Sequence, residues 1–328
     1  MNQLLSCLRA VAEPTRLRLL SLCAEGDMTV SELTQILGQS QPRVSRHLKL
    51  LCDAGVLDRY REGSWVFYRL VDDNVASGGV ARQLVALIPE DDMQRTIDRR
   101  LLSEIKQARA AEAEAYFTAN AAQWDRIRSF HVDESDVEKA LLAAFPGHAE
   151  DLLDIGTGTG RMLQLFADRV DRGIGIDSSR DMLSVARVKL QTDENRHCHV
   201  RHADMYRLPM ADASFDVAVI HQVMHYADRP EALITEVARV LRPDGALLIV
   251  DFAPHDLETL RIEHAHLRLG FSDSEIFDWC ARAELESGSV QNLPGDPLTV
   301  KMWSATRKSI DAGTRIGRQK RAMMEMVD

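Results

Sequence analysis

The chain has 328 residues, 45% hydrophobic and 27% charged, which leaves room for about two domains of ordinary size and excludes a disordered or low-complexity protein. No apolar run approaches the roughly 18 residues of a membrane span, and the five scattered cysteines, with no C-x-x-C pair, argue against a disulfide framework or zinc site and for a reducing cytoplasm. The net charge of −10 is uneven: residues 1–75 hold 9 basic and 9 acidic side chains, so the remainder carries the whole deficit, and contact with a polyanion must be local to the N-terminal part.

Met1–Val11 is apolar without a charged start or a small-residue cleavage site, and reads as a helix, not a signal peptide. Pro14 opens a second helix that ends by Gly26. Thr29-Val30-Ser31-Glu32 has the form of a capping box, starting a helix that Gly38 stops near Leu37. Ser40 is expected to cap the next helix, with Pro42 in its first turn. Two short helices joined by a tight glycine turn are the helix-turn-helix signature. On the second, Val44, Leu48 and Leu51 form a buried stripe, and no acid occurs from Gln41 to Leu51. Gln41, Arg43, Ser45, Arg46, His47 and Lys49 are therefore the candidates for reading DNA, since a recognition helix must offer donors without a repelling carboxylate. An ordinary basic solvent face is the alternative. Leu57–Arg61, a turn at Glu62-Gly63-Ser64 and Trp65–Leu70 then read as a β-hairpin. Its Arg59 and Arg61 suit phosphate or minor-groove contact.

AEPTRLRLL followed by SELTQILGQSQPRVSRHLKLLCDAGVLDRYREGSWVFYRL resembles the ArsR/SmtB family of bacterial repressors over residues 5–72. The resemblance implies a winged-helix homodimer that binds a palindromic double-stranded operator and is released by an inducer. Many relatives sense metal through a C-x-C pair; this chain has Thr29-Val30-Ser31 there, so no metal site is expected and another signal must operate.

Residues 76–130 read as helical, with apolar positions Leu84, Val85, Leu87, Ile88, Ile97, Leu101, Leu102 and Ile105. They are expected to form a linker, dimer interface and coupling element between a 1–75 DNA-binding domain and a 131–305 domain. A 306–328 tail is expected to be poorly ordered. From Asp151 onward short β-rich runs alternate with helical stretches, the pattern of a mostly parallel sheet covered by helices.

Asp151–Ile155 is an apolar strand running into Gly156-Thr157-Gly158-Thr159-Gly160, with a helix from Arg161. The glycines let the backbone approach a ligand in front of a helix N-terminus. A dinucleotide fingerprint counted from Gly156 would need a glycine at Arg161. Asp154 would repel a pyrophosphate and suits a cationic amino-acid group. A second strand ends at Asp177-Ser178, where an acid accepts ribose hydroxyls, in NAD equally well, so it locates an adenosine without choosing the cofactor; a third leads to Asp204-Met205, where Asp204 can accept from an adenine amino group. This ordered set, with Val217–Ile220, His221, Gln222 and the strand Ala246–Asp251, resembles class I S-adenosylmethionine (SAM)-dependent methyltransferases across residues 115–305. That implies a Rossmann-like α/β fold with seven strands, the last near Leu298–Ser304 antiparallel. By the same resemblance Asp154, Gly156, Thr157, Gly158 and Gly160 lie at the methionine part, Asp177 and Ser178 at the ribose, Asp204 and Met205 at the adenine, and His221 and Gln222 facing the sulfur. Tyr116, Phe117 and Trp124 resemble lid residues or pack the linker helix.

His221, His225 and His255 follow the ends of predicted strands, where α/β sites form; they are the candidates for a general base, with polar groups lining a cofactor pocket as the stronger alternative. Two functions follow: a regulator whose methyltransferase-like domain senses SAM or S-adenosylhomocysteine, which the resemblance links to methionine-cycle genes, or an active small-molecule methyltransferase with an autoregulatory DNA-binding part. The N/D-P-P-Y/F motif of DNA methylation is missing after the fourth strand, where His221-Gln222-Val223-Met224 stands.

Overall fold

The computed structural model describes residues 2–26, 28–62, 65–71, 76–120 and 134–309. Trp124, Gly63-Ser64 and 310–328 lie outside them. The chain forms two compact units, Met1–Ala115 with Asp256–Leu269, and Tyr116–His255 with Gly270–Asp328. The first break thus falls inside the expected linker, most of which joins the first unit.

The first unit holds α1 (Asn2–Val11), α2 (Pro14–Cys23), α3 (Val30–Leu37) and α4 (Gln41–Asp53) with a sheet of β1 (Met28–Thr29, between α2 and α3), β3 (Trp65–Leu70) and β2 (Leu57–Glu62), in that spatial order. Glu13 caps α2, its carboxylate accepting from the Arg16 N–H at 2.8 Å. Both bonds of the Thr29–Glu32 capping box form, and Gly38 ends α3 at φ +62°, a left-handed value that glycine adopts without a Cβ penalty. Ser40 is at the N-cap of α4, but its side chain makes no capping bond, contrary to expectation. Val44, Leu48 and Leu51 are fully buried with Leu19, Leu20, Leu33, Leu57, Tyr68 and Leu70. α5 (Ala76–Ala86) and α6 (Met93–Asn120) follow. α6 is tied to α2 by Arg18, whose Nε and Nη2 donate to Asp98 at 2.8 and 2.7 Å.

The second unit holds a seven-stranded sheet in the order β6-β5-β4-β7-β8-β10-β9, from β4 (Ala149–Ile155), β5 (Val170–Asp177), β6 (Cys198–His202), β7 (Phe215–His221), β8 (Leu241–Phe252), β9 (Leu285–Pro294) and β10 (Thr299–Arg307). β4 to β8 pair in parallel; β10 is antiparallel to β8 and β9. β10 extends to Arg307, two residues past the expected domain end. The helices are α7 (Glu134–Ala144), α8 (Arg161–Phe166), α9 (Arg180–Lys189), α10 (Pro230–Val240) and α12 (Asp273–Arg282), while α11 (Thr259–His264) belongs to the first unit. Central strands such as Val217–Ile220 are fully buried, as strands covered on both faces must be. No helix among the described residues is long and apolar enough to cross a membrane.

Candidate functional site

In the first unit, Gln41, Arg43, Arg46 and Lys49 are exposed on α4 opposite its buried stripe, and Ser45 and His47 are half-buried. His47 is drawn inward, its Nδ1 3.7 Å from a Glu13 carboxylate oxygen. Arg59 and Arg61 are exposed on β2. The hairpin pairs Tyr60 with Phe67 and Arg61 with Val66, so the two arginines share the strand face opposite Tyr60. Where a metal-ligating pair would be sought, the Thr29 side chain is committed to its capping box. All five cysteines are free thiols. Burial pushes the Cys52 thiol up to about 11, so its sulfur is a neutral thiol at neutral pH.

In the second unit the turn after β4 takes positive φ at Gly156 (+66°), Gly158 (+52°) and Gly160 (+85°). Gly156 is required twice over, because a Cβ there would also lie 2.3 Å from a Val223 methyl. Two carboxylates brace the turn. Fully buried Asp154 accepts from Thr157 Oγ1 at 2.6 Å. Asp177, ending β5, accepts from the Gly158 N–H at 2.8 Å through one oxygen and from the Ser179 N–H at 2.8 Å through the other. Desolvation by burial pushes the Asp177 carboxyl above its ordinary value, although those N–H bonds oppose the shift. Gly175 leaves space for Thr157, whose Oγ1 would be 2.5 Å from a Cβ there. The chain's parallel strands deliver all these groups to one sheet edge, the carboxyl ends where α/β ligand sites form.

Other sequence candidates reach the same edge. Asp204 is exposed and accepts from the Tyr206 N–H at 2.9 Å; Met205 packs on the core. Ser178 is exposed beside Asp177. His221 ends β7 and Gln222 follows it; both are buried, Gln222 at φ +53° with its N–H donating to Val250 O at 2.7 Å. His225 lies just beyond, its Nδ1 2.8 Å from an oxygen of fully buried Asp251 at the end of β8. His255 stacks edge-on with Phe252. Phe117 meets Tyr226 edge to face at 4.8 Å.

Sequence reasoning missed three participants. Glu134 opens α7 with a carboxylate oxygen 3.7 Å from His221 Nε2. Glu138, one turn on, holds Arg161 at the start of α8 through two 2.6 Å bonds. Their i, i+4 spacing, which puts both acids on one helix face, was the available signal. Tyr226 carried no signal of its own. A cluster of Glu150, Asp151 and Asp216 has metal-ligand spacing, but Arg172 and Arg242 donate to Asp151 at 2.5 Å each, and Arg242 also pairs with Asp216 at 2.6 Å. It is an ion-pair network.

A profile of the bacterial regulatory protein arsR family matches residues 13–59, and one of a methyltransferase domain matches residues 153–249. An uncharacterized HTH-type transcriptional regulator, MJ1325 of Methanocaldococcus jannaschii, is 39% identical over 83 residues, 25% of this chain and 86% of that protein. The chain belongs to the arsR family. This arsR-family protein carries its DNA-binding unit ahead of a methyltransferase domain. The second part is similar to the uncharacterized methyltransferase YcgJ of Bacillus subtilis, 28% identical over 223 residues, covering 65% of this chain and 85% of that protein. A putative methyltransferase solved with the Haloferax volcanii Trm112 activator shares the fold, with 21% identity, a TM-score of 0.50, and coverage of 58% of this chain and 97% of that one. Against several other curated relatives the chain spans less than half of the relative's length.

Proposed function

We propose that this arsR-family regulator is a repressor whose methyltransferase domain binds SAM or S-adenosylhomocysteine as its effector. The observation that carries the reading is the bracing of the Gly156–Gly160 turn by Asp154 and Asp177. A pyrophosphate would meet the Asp154 carboxylate at the start of that turn. A ligand with a cationic amino group at one end and ribose hydroxyls at the other meets acceptors, so the donor set fits an S-adenosyl nucleoside. Asp154 and the turn would hold the methionine part, Asp177 the ribose, and Asp204 with the Met205 backbone the adenine. His221 and Gln222 would face the sulfur.

On the DNA side Arg43 and Arg46 would read guanine edges while Gln41, Ser45, His47, Lys49, Arg59 and Arg61 position the backbone. The reading includes a homodimer on a palindromic operator, a cytoplasmic location and targets among methionine-cycle genes. A tenfold change of operator affinity needs only about 1.4 kcal/mol of coupling. Calorimetric titration of both ligands, with operator gel shifts in the presence of each, tests it. Tight binding with a shifted operator affinity supports the reading; binding that leaves the operator affinity unchanged removes it.

One observation favours methyl transfer as a second reading. A carboxylate only accepts, so Asp251 fixes the proton of neutral His225 on Nδ1 and leaves Nε2 as the basic atom. SAM, when bound, supplies an electrophilic methyl group. His225 could take a proton from an acceptor hydroxyl near the ends of β7 and β8, with Asp251 stabilising the charged ring. His221 and His255 then line the pocket. Incubation with methyl-labelled SAM and fractionated metabolites tests this: label in a product made by the natural chain but not by His225→Asn supports it, and no labelled product removes it.

A further inference from the structure

The chain departs from the second unit after β8 and returns before α12, and the intervening residues Asp256–Leu269 belong by their contacts to the first unit. Both ends of this excursion are fixed within the second unit. The Ala253 N–H donates to Thr299 O, and the Phe271 N–H to Phe252 O, each at 2.9 Å. Gly270 has φ +88°, and a Cβ there would lie 2.2 Å from Ala253 O. The outgoing and returning chains are therefore pressed together, and only glycine allows it. This footing sits on the candidate ligand edge: Asp251, partner of His225, is the residue before Phe252, and the Phe252 ring lies 5.2 Å from the His225 ring.

The middle of the excursion grips the wing. Arg261, on α11, lies 4.4 Å from the Trp65 ring centroid and 6.0 Å from that of Phe67. Arg268 lies 5.4 Å from the Tyr60 ring. Both arginines are buried, and Arg261 is further held by Glu258 at 3.4 Å and by the carbonyl of Leu267. Tyr60, Trp65 and Phe67 share one face of the β2–β3 hairpin, with Tyr60 stacked on Phe67 at 5.3 Å. The opposite face gives Leu57, Tyr68 and Leu70 to the helix-turn-helix core. Phe67 is only 5% exposed yet is no part of that core; its cover comes from its aromatic neighbours and Arg261. The wing is thus held from two sides, by its own core and by residues 256–269.

We propose that residues 256–269 are a strap that carries the state of the methyltransferase-domain pocket to the DNA-binding wing. The inference rests on the proposed sensor function and names its route. A ligand that shifts the ends of β7 and β8 shifts the footing at Ala253 and Gly270. The two ends are pressed together at that footing, so a displacement there enters both arms of the strap; along them it would reach Arg261 and Arg268, and through Trp65 and Tyr60 the strand that bears Arg59 and Arg61. Two planar guanidinium groups seated on aromatic faces suit this task, because such stacking is directional.

The test uses the full chain and a duplex selected by it from a random pool. Operator affinity is measured with and without S-adenosylhomocysteine, and ligand affinity by calorimetry, for the natural chain, the Arg261→Ala/Arg268→Ala double variant and the Arg261→Lys/Arg268→Lys double variant. The natural chain is expected to change operator affinity at least tenfold on ligand binding. The alanine variant should bind ligand within about twofold of the natural chain, yet change operator affinity less than twofold. The lysine variant, which keeps charge without the planar stack and guards against loss of folding, should respond weakly. Equal responses in the natural chain and both variants overturn the strap alone. A natural chain that binds ligand without any operator response overturns the sensor reading and the strap with it.

Discussion

Gly156 packs against Val223 so closely that a Cβ on the glycine would lie 2.3 Å from a valine methyl. The turn after β4 and the segment after β7 are thereby held close together at the candidate ligand edge. Gly156→Ala would face this clash and a left-handed φ of +66°, a strain of about 1–3 kcal/mol before the clash. Calorimetry should find ligand affinity reduced at least tenfold. Operator binding without ligand should persist, because the first unit keeps its own core.

Arg18 and Asp98, eighty residues apart, bind the long α6 to α2 with Asp98 buried. Removing one partner of a buried pair strands the other. Asp98→Asn should destabilise the first unit by about 3 kcal/mol, read as a lower urea midpoint with an unchanged slope. An effect below about 0.5 kcal/mol would mean that the pair is decorative.

Exposed Arg43 and Arg46 on α4 are expected to contact base edges. Alanine at either should cost about 1–3 kcal/mol on the selected operator and little on random DNA. Lys49→Ala should instead weaken both alike and lower the salt dependence by about one unit of slope. Gel shifts at several salt concentrations separate the two roles.

For Asp216, burial works against ionisation, but bonds from Arg242 and from the Asp151 and Glu150 N–H groups hold its carboxyl below its ordinary 3.8. Glu236 is held below 4.5, first by Arg239 and against some burial. A folded value below the unfolded one contributes stability that is present above the unfolded value and is lost as pH falls through the folded one. The thermal midpoint of the second unit should therefore hold its share from these pairs above about pH 4.5 and decline below it. Asp216→Asn should lower the midpoint at pH 7, and by progressively less as the pH falls below about 4.

What the sequence made legible was local or repetitive. Thr29 and Glu32 announce a capping box, Gly38 a stop, and Val44, Leu48 and Leu51 a helix face; the glycines at 156, 158 and 160 mark the tight turn after β4, and alternating elements mark the sheet. Each signal spans a few residues or one turn of helix. The Glu13 cap, the Glu138–Arg161 clamp, the His225–Asp251 pair and the strap were not legible, because their partners are brought together only by the completed fold. Residues 256–269 are the clearest instance: in sequence they fall within the expected 131–305 domain, yet they belong to the first unit, and nothing local tells that Arg261 and Arg268 seat on aromatic rings two hundred residues earlier.

The most direct test of the central claim is operator affinity of the full chain, measured by fluorescence anisotropy at fixed salt, across a titration of S-adenosylhomocysteine. The account predicts a saturable shift of tenfold or more, with a midpoint at the dissociation constant found by calorimetry, and loss of that shift in Asp177→Asn. An operator affinity that stays constant through saturation of the pocket would contradict it.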